Sequence, residues 1–204
     1  MISHKHHCVF IHIPKTAGRT IKSLFGLPEL GRYYKGELEW IEDPFDHQSI
    51  TKYTDRDWFD DYYKFSVIRN PWDRAVSAFF YLDKGGSNQF DQAFRDEYLA
   101  KYGGDFDAFA QDIGSLAEHK FFKPQMHWVG RVEEREVLCD HLIRFENLSE
   151  EVMALSERLG LPMPEVPHVN PGKHPPYQEC YSPAGRDAVA EVYAADIEAF
   201  GYSF

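Results

Sequence analysis

Two apolar runs, each followed by a turn and then by a helical pattern, dominate the first half of the chain. Cys8–Ile13 is short, apolar and rich in β-branched residues, which is typical of a strand buried in a parallel sheet. Phe65–Ile68 predicts a second strand of this kind, and Asp140–Phe145 predicts a third. Strands that alternate with helices and short turns imply a parallel sheet with right-handed crossovers.

Apolar residues at helical spacing predict the helices around these strands. Arg19–Phe25 follows the first strand, and Pro71 can occupy the first turn of the next helix, which runs to about Leu82. Asn147, with Glu150 three residues later, forms a capping-box pattern that opens a later helix. Further predictions are a packing face of Ala75, Val76, Ala78 and Phe79, a helix end at Gly160, and helices over 55–62, 90–102, 106–116 and from Ser182-Pro183 to Phe200.

The pattern as a whole predicts one α/β domain over residues 1–204, with a central mostly parallel sheet flanked by helices. Ligands in such sheets bind beyond the carboxyl ends of the strands. The segments 26–54 and 162–183 are rich in Pro and Gly and predict loops. The second loop is long enough to form a lid over a site.

Composition narrows the classes of function. The net charge of −11 disfavours nucleic acid as a partner, because counterion release requires a basic surface. The three cysteines, Cys8, Cys139 and Cys180, are too few and too scattered for a disulfide framework or a zinc ribbon. The chain shows no apolar run of about 20 residues and no signal-peptide pattern. We therefore expect a cytoplasmic protein without an integral membrane segment.

The first candidate site is the segment Lys-Thr-Ala-Gly-Arg-Thr at 15–20, between the first strand and the first helix. Ala17 and Gly18 allow backbone N–H groups to approach an anion, the helix N-terminus adds positive potential, and Lys15 supplies a charge. The hydroxyls of Thr16 and Thr20 supply further donors. The pattern differs from a Walker A loop, in which a Lys follows the last Gly. It favours anion binding over an ordinary surface turn, and a nucleotide kinase or phosphotransferase remains an alternative.

The second candidate site follows the second strand. Arg69 ends the strand, and Ser77 lies eight residues later, so that the guanidinium and the hydroxyl can reach one anion. The alternative is an Arg69 that pairs with an acidic neighbour such as Asp73.

Both segments resemble motifs of the sulfotransferases that use 3'-phosphoadenosine 5'-phosphosulfate (PAPS). The similarity is to the carbohydrate-type group, which includes heparan and chondroitin sulfotransferases and their bacterial relatives. It extends to 144–148 and 193–202 and is weakest over 83–135. It implies a three-layer P-loop-like fold and O-sulfation with PAPS as donor, PAP as product and no metal. It also implies a 5'-phosphosulfate site of Lys15, Thr16, Ala17, Gly18, Arg19 and Thr20, a 3'-phosphate site of Arg69 and Ser77, and a lid residue, Lys173.

Sulfuryl transfer to a hydroxyl requires a base for the acceptor proton and positive charge at the leaving phosphate. Lys15 suits the second task. His47 is the candidate base, chiefly because related sequences place a His before the segment that leads into the second strand. Asp46 or Glu39 could serve instead, and His47 could also be an ordinary surface histidine beside Asp46.

The remaining histidines are assigned no catalytic role. His12 is predicted to be a packed strand residue, and His4, His6 and His7 to lie in a frayed terminus.

The acceptor is expected to be a hydroxyl of a carbohydrate, a glycolipid or a small molecule. Flat aromatic faces suit sugar rings, although aromatic residues are more often part of a core. Besides the kinase, a non-catalytic nucleotide-binding interaction domain remains open. The aromatic residues that could line an acceptor cleft are Tyr33, Tyr34, Trp40, Phe45, Phe121, Phe122 and Trp128.

Overall fold

The computed structural model describes residues 1–27, 41–42, 47–162 and 175–204. The chain divides into two compact units. One comprises Met1–Arg69 and Gln125–Val169 and contains the strands, and we call it the sheet unit. The other comprises Asn70–Pro124 and Asn170–Phe204 and is helical, and we call it the helical unit. Each unit has its own apolar core. One domain over the whole chain stays a prediction.

The sheet unit is built on five strands in the order β3-β1-β2-β4-β7. The β2–β4 and β4–β7 pairs are parallel, with four residue pairs each. The shorter β1–β2 and β1–β3 pairs are antiparallel. A small antiparallel hairpin pairs β5 with β6. The strands are β1 (Ile2–Ser3), β2 (Cys8–Ile11), β3 (Ile41–Glu42), β4 (Tyr63–Ile68), β5 (Gly130–Arg131), β6 (Glu136–Val137) and β7 (His141–Arg144).

The central strands are buried on both faces. Every residue of β2 is buried, as is every residue of β4 after Tyr63, which explains their apolar composition. On one face the Phe10 and Phe65 rings stack with centroids 5.3 Å apart. This face packs against α1 (Gly18–Leu24) and α6 (Leu148–Leu159) through Ile21, Leu24, Val152 and Leu155. The predicted mixed α/β architecture, with a mostly parallel sheet flanked by helices, is confirmed.

The helical unit begins with α2 (Pro71–Asp83). Asn70 caps this helix, because its side-chain oxygen accepts hydrogen bonds from the backbone N–H groups of Trp72 and Asp73. The predicted packing face of α2 is buried in the core of the unit. Arg74 is fully buried and donates to the carbonyls of Phe121 and Lys123. The other helices of this unit are α3 (Gln89–Phe94), α4 (Phe106–Gln111), α7 (Pro183–Val192) and α8 (Ala194–Phe200).

Several local predictions are wrong or incomplete. Residues 55–62 form successive turns rather than a helix, with hydrogen bonds such as Phe59 N–H to the Arg56 carbonyl. The stretches 90–102 and 106–116 are each helical but interrupted: Arg95–Leu99 is a π turn, and Ala100–Tyr102 and Ile113–Leu116 are 3-10 turns. The last helix breaks at Tyr193 into α7 and α8.

The N-terminus is not frayed. Ile2–Ser3 forms β1 between two other strands, His4 Nδ1 lies 2.8 Å from the Tyr62 hydroxyl, and His6 Nδ1 lies 3.0 Å from the Leu159 carbonyl. Over 1–27, 41–42, 47–162 and 175–204, no helix combines the length and apolar character that crossing a bilayer requires.

The N-termini of α7 and α6 differ in whether the N-cap side chain bonds to the helix, so together they test the effect of a cap on stability. Ser182 accepts the backbone N–H of Gly185 at 3.2 Å, whereas Asn147, despite its capping-box position, makes no side-chain capping bond to α6. We expect Ser182→Ala to lower the free energy of unfolding by about 1 kcal/mol. Asn147→Ala is the control and should change it far less. Urea unfolding followed by circular dichroism measures both, and equal losses would contradict the assignment.

Candidate functional site

The loop after β2 contains two non-glycine residues in the left-handed backbone region. Lys15 and Ala17 adopt positive φ angles of 69° and 59°. This conformation costs a residue with a Cβ on the order of 1–2 kcal/mol. Residues in the left-handed region also occur in the backbone nests that bind phosphate, in which successive N–H groups face one anion. The buried Thr16 hydroxyl donates to the Ile13 carbonyl at 2.9 Å, so this side chain shapes the loop from within.

The rest of the predicted 5' segment forms the start of α1. Gly18 is the first residue of the helix, Arg19 is exposed and Thr20 is half-buried. Because α1 has only seven residues, its macrodipole adds little, and the anion-binding character of the segment rests on the loop backbone and on the charges of Lys15 and Arg19.

A histidine ring explains why residue 18 is glycine. A Cβ at Gly18 would lie 1.8 Å from His12 Nε2, far inside any allowed contact. His12 follows the last residue of β2, and its ring lies 5.7 Å from that of Phe10. The ring therefore occupies the space that a side chain at position 18 would need.

His47 lies against the same histidine. Its Nδ1 is 2.8 Å from the His12 carbonyl oxygen, and the two ring centroids are 4.2 Å apart. A carbonyl only accepts hydrogen bonds, so Nδ1 of His47 must carry the proton. In the neutral imidazole the lone pair is then on Nε2, which is the tautomer that a base acting through Nε2 requires. The ring of Trp128, on α5 (Met126–Val129), is 6.3 Å from that of His47.

Arg69 connects the ends of three elements. It follows β4, its Nη1 donates to the Lys15 carbonyl at 3.1 Å, and its guanidinium carbon lies 4.1 Å from the centroid of the Phe145 ring, which follows β7. Arg69 is only 6% exposed, so the guanidinium is held against the loop after β2 rather than in solvent. A guanidinium has five N–H donors, and the bond to Lys15 is therefore compatible with a phosphate contact.

Gln125 holds the backbone of Arg69. Its Oε1 accepts the Arg69 N–H at 2.9 Å, and its Nε2 donates to the Arg69 carbonyl at 2.8 Å. Gln125 is fully buried, so these bonds satisfy two backbone groups that water does not reach. Sequence reasoning missed this residue, since no local pattern relates it to Arg69.

The surroundings of His12 keep its ring in the neutral form. The residue as a whole is half-buried, but its Nδ1 is inaccessible and has no hydrogen-bond partner among the described residues. Burial holds the pKa of His12 well below its usual value of 6.5, and the nearby His47 and Lys22 lower this pKa further. His12 is therefore neutral at physiological pH. Lys22, a buried cation on α1, is a second residue of this neighbourhood that sequence reasoning missed.

Comparison with known proteins places the chain in a family. A model of the sulfotransferase family matches residues 1–203. The chain belongs to the sulfotransferase family. The resemblance of its motifs to sulfotransferases is thereby confirmed, and sulfuryl transfer is the general chemistry that membership supports. Searches of curated proteins and of solved structures found no significant match.

The other predicted site residues lie in the helical unit or outside the described residues. Arg69 belongs to the sheet unit and Ser77 to α2 of the helical unit, and their joint role stays a prediction. Phe121 and Phe122 are buried in the helical core. Among the described residues, no three His, Cys, Asp or Glu side chains are grouped to hold a metal ion. The predictions for Glu39, Asp46, Lys173, Tyr33, Tyr34, Trp40 and Phe45 fall outside the described residues.

The two hydrogen bonds between the Gln125 side chain and the Arg69 backbone should contribute strongly to the stability of the protein. Gln125→Leu leaves the buried N–H and C=O of Arg69 without these partners, and each unsatisfied group costs about 1–3 kcal/mol. We expect the free energy of unfolding to fall by about 2 kcal/mol or more. Gln111→Leu, at an exposed glutamine, is the control and should stay within about 0.5 kcal/mol of wild type. A Gln125→Leu protein as stable as the control would contradict a stabilising role for these two hydrogen bonds.

Because His12 is neutral in the folded protein, we expect the stability of the protein to fall in acid. Below pH 6.5 the unfolded chain takes up a proton on His12, while the folded chain, with its depressed pKa, does not. The free energy of unfolding should therefore fall as the pH drops from 6.5 toward the folded pKa. His12→Phe keeps a planar ring without the titration and should flatten this dependence. Urea titrations at pH 7.5 and 5.5 measure the difference, and identical slopes for the two proteins would overturn the prediction.

Proposed function

We propose that the protein is a PAPS-dependent O-sulfotransferase that transfers a sulfuryl group to a hydroxyl of a carbohydrate, glycolipid or small molecule. The observation that carries the proposal is the place of His12 after β2, where its ring lies against both His47 and Gly18, the residue that follows the loop at 15–17. A histidine protonated at Nδ1 thus lies close to a loop with two positive φ angles, which supports a base beside an anion-binding segment. Family membership supports sulfuryl transfer, and a three-layer P-loop-like fold is part of the same proposal.

The loop residues would bind the 5'-phosphosulfate. Backbone N–H groups around Ala17 and Gly18 offer donors, and Lys15 and Arg19 offer charge. Thr20 adds a hydroxyl at the first turn of α1, and Thr16 contributes by holding the loop. Because Lys15 lies in the loop between β2 and α1, we assign to it the stabilisation of the charge that develops on the leaving phosphate oxygen.

Arg69 and Ser77 would bind the 3'-phosphate. The contact of Arg69 with the Lys15 carbonyl supports this assignment, because it ties the 3' residue directly to the loop that is proposed for the 5' end. Lys173 remains the proposed lid residue.

His47 would act as the general base. Nε2 of the neutral ring takes the proton of the acceptor hydroxyl as its oxygen bonds to sulfur and the bond from sulfur to the phosphate oxygen breaks, which releases PAP. The His12 carbonyl holds Nδ1–H throughout and favours the imidazolium that forms. Trp128, whose ring centroid lies 6.3 Å from that of His47, would offer a ring edge to the acceptor. The described residues would need no metal for these steps.

The compartment is also part of the proposal. All three cysteines are free thiols, which is typical of a reducing environment such as the cytoplasm.

Calorimetric titration with adenosine 3',5'-bisphosphate tests the donor site. We expect tight binding of this bisphosphate, weaker binding of AMP and no preference for ATP with Mg²⁺. Lys15→Ala should weaken bisphosphate binding tenfold or more, because it removes a charge from the loop. Lys120→Ala, at an exposed lysine of the helical unit, is the matched control. A preference for ATP with Mg²⁺ would replace the proposal with a kinase.

Transfer of labelled sulfate from PAPS to a panel of saccharides, glycolipids and phenols tests the base. His47→Asn should keep bisphosphate affinity and lose 10²-fold or more in turnover, which is the usual contribution of a general base. Unchanged turnover would rule out His47 as the base.

A further inference from the structure

His12 lies between the two parts of the site and touches both. On one side its Nε2 approaches Gly18 so closely that no Cβ fits there. On the other side its ring lies 4.2 Å from that of His47, at an interplanar angle of 38°. Phe10 bounds the ring from the strand, with centroids 5.7 Å apart. Few movements of the His12 ring are compatible with these three neighbours.

The backbone of His12 also determines which ring nitrogen of His47 carries the proton. Its carbonyl accepts Nδ1–H of His47 at 2.8 Å. This bond requires the His47 ring to keep one rotation about its side-chain bonds. The His12 ring packs against His47 beside this bond, so removal of the ring would leave His47 free to rotate away from the carbonyl.

We propose that His12 is a positioning residue, whose ring, held by Gly18, keeps His47 in the orientation and tautomer that a base acting through Nε2 requires. The inference rests on the proposed role of His47. A histidine ring fits this place because it is flat enough to lie over Gly18 and small enough to leave room for His47. Remaining neutral, it adds no charge beside the proton that His47 would take up.

A purely structural role is the competing explanation. A ring that only fills space in the sheet unit would affect stability when removed, but it would leave the tautomer of His47 unchanged. The decisive readout is therefore spectroscopic and requires neither PAPS nor an acceptor.

The experiment uses the full chain labelled with ¹⁵N and long-range ¹H–¹⁵N correlation spectra of the histidine rings at pH 8. Wild type should show His47 protonated at Nδ1. His12→Val and His12→Asn, which both remove the ring, should give a mixture of the two tautomers. His12→Phe, which keeps a ring over Gly18, should restore the wild-type form. His119→Val, at a half-buried histidine of the helical unit, is the control and should leave the His47 signals unchanged.

Calorimetry on the same proteins separates this inference from the proposed function. We expect the dissociation constant for adenosine 3',5'-bisphosphate to stay within twofold of wild type in all His12 variants. Two results would overturn the inference: a wild-type tautomer in a folded His12→Val or His12→Asn protein, or a loss of bisphosphate affinity in those variants as large as the loss in Lys15→Ala. Failure of wild type to bind the bisphosphate would instead overturn the proposed function, and the tautomer result would still stand. Should both truncations fail to fold, a mixed tautomer in His12→Phe would by itself contradict the role of the ring.

Discussion

The parallel pairing of β2 with β4 is the constraint on which the rest of the site depends. Its register places Ile11 opposite Ser66, and the Ser66 hydroxyl reinforces the pairing by donating to the Ile11 carbonyl at 2.7 Å. Because parallel strands end at the same edge, the loop after β2 and Arg69 after β4 emerge side by side. A shift of one residue would exchange the two faces of the strand and separate Arg69 from the Lys15 carbonyl.

The contacts around this edge are made largely by backbone groups. The Lys15 carbonyl accepts from Arg69, the His12 carbonyl accepts from His47, and both backbone groups of Arg69 bond to Gln125. Side chains from distant parts of the chain thus form hydrogen bonds with main-chain groups at this edge of the sheet. The Arg69 guanidinium and the His47 ring are thus each held by a carbonyl that cannot rotate away, which is a form of preorganisation.

The sequence predicts the buried strands well, because residues enclosed on both faces must be apolar, and it predicts α2 from Pro71 and its apolar face. It does not predict β1 or β3, which have two residues each and too little periodicity to detect. The acidic stretch 55–62 lacks a continuous apolar face and folds into turns around the buried Phe59. At the site, the motifs identify the loop and Arg69. The contacts of His12 with His47 and of Gln125 with Arg69 join residues 35 and 56 positions apart, which no local pattern encodes.

The fit of the His12 ring over Gly18 has a consequence for the evolution of this chain. A side chain at position 18 and a ring at position 12 exclude each other, so position 18 cannot gain a side chain while the ring at 12 is kept. A lineage that gained even a methyl group at 18 would first have to lose the ring at 12, and with it the contact to His47. The two positions should therefore be inherited as a pair, although five residues separate them in the chain and neither has any other reason to vary with its partner.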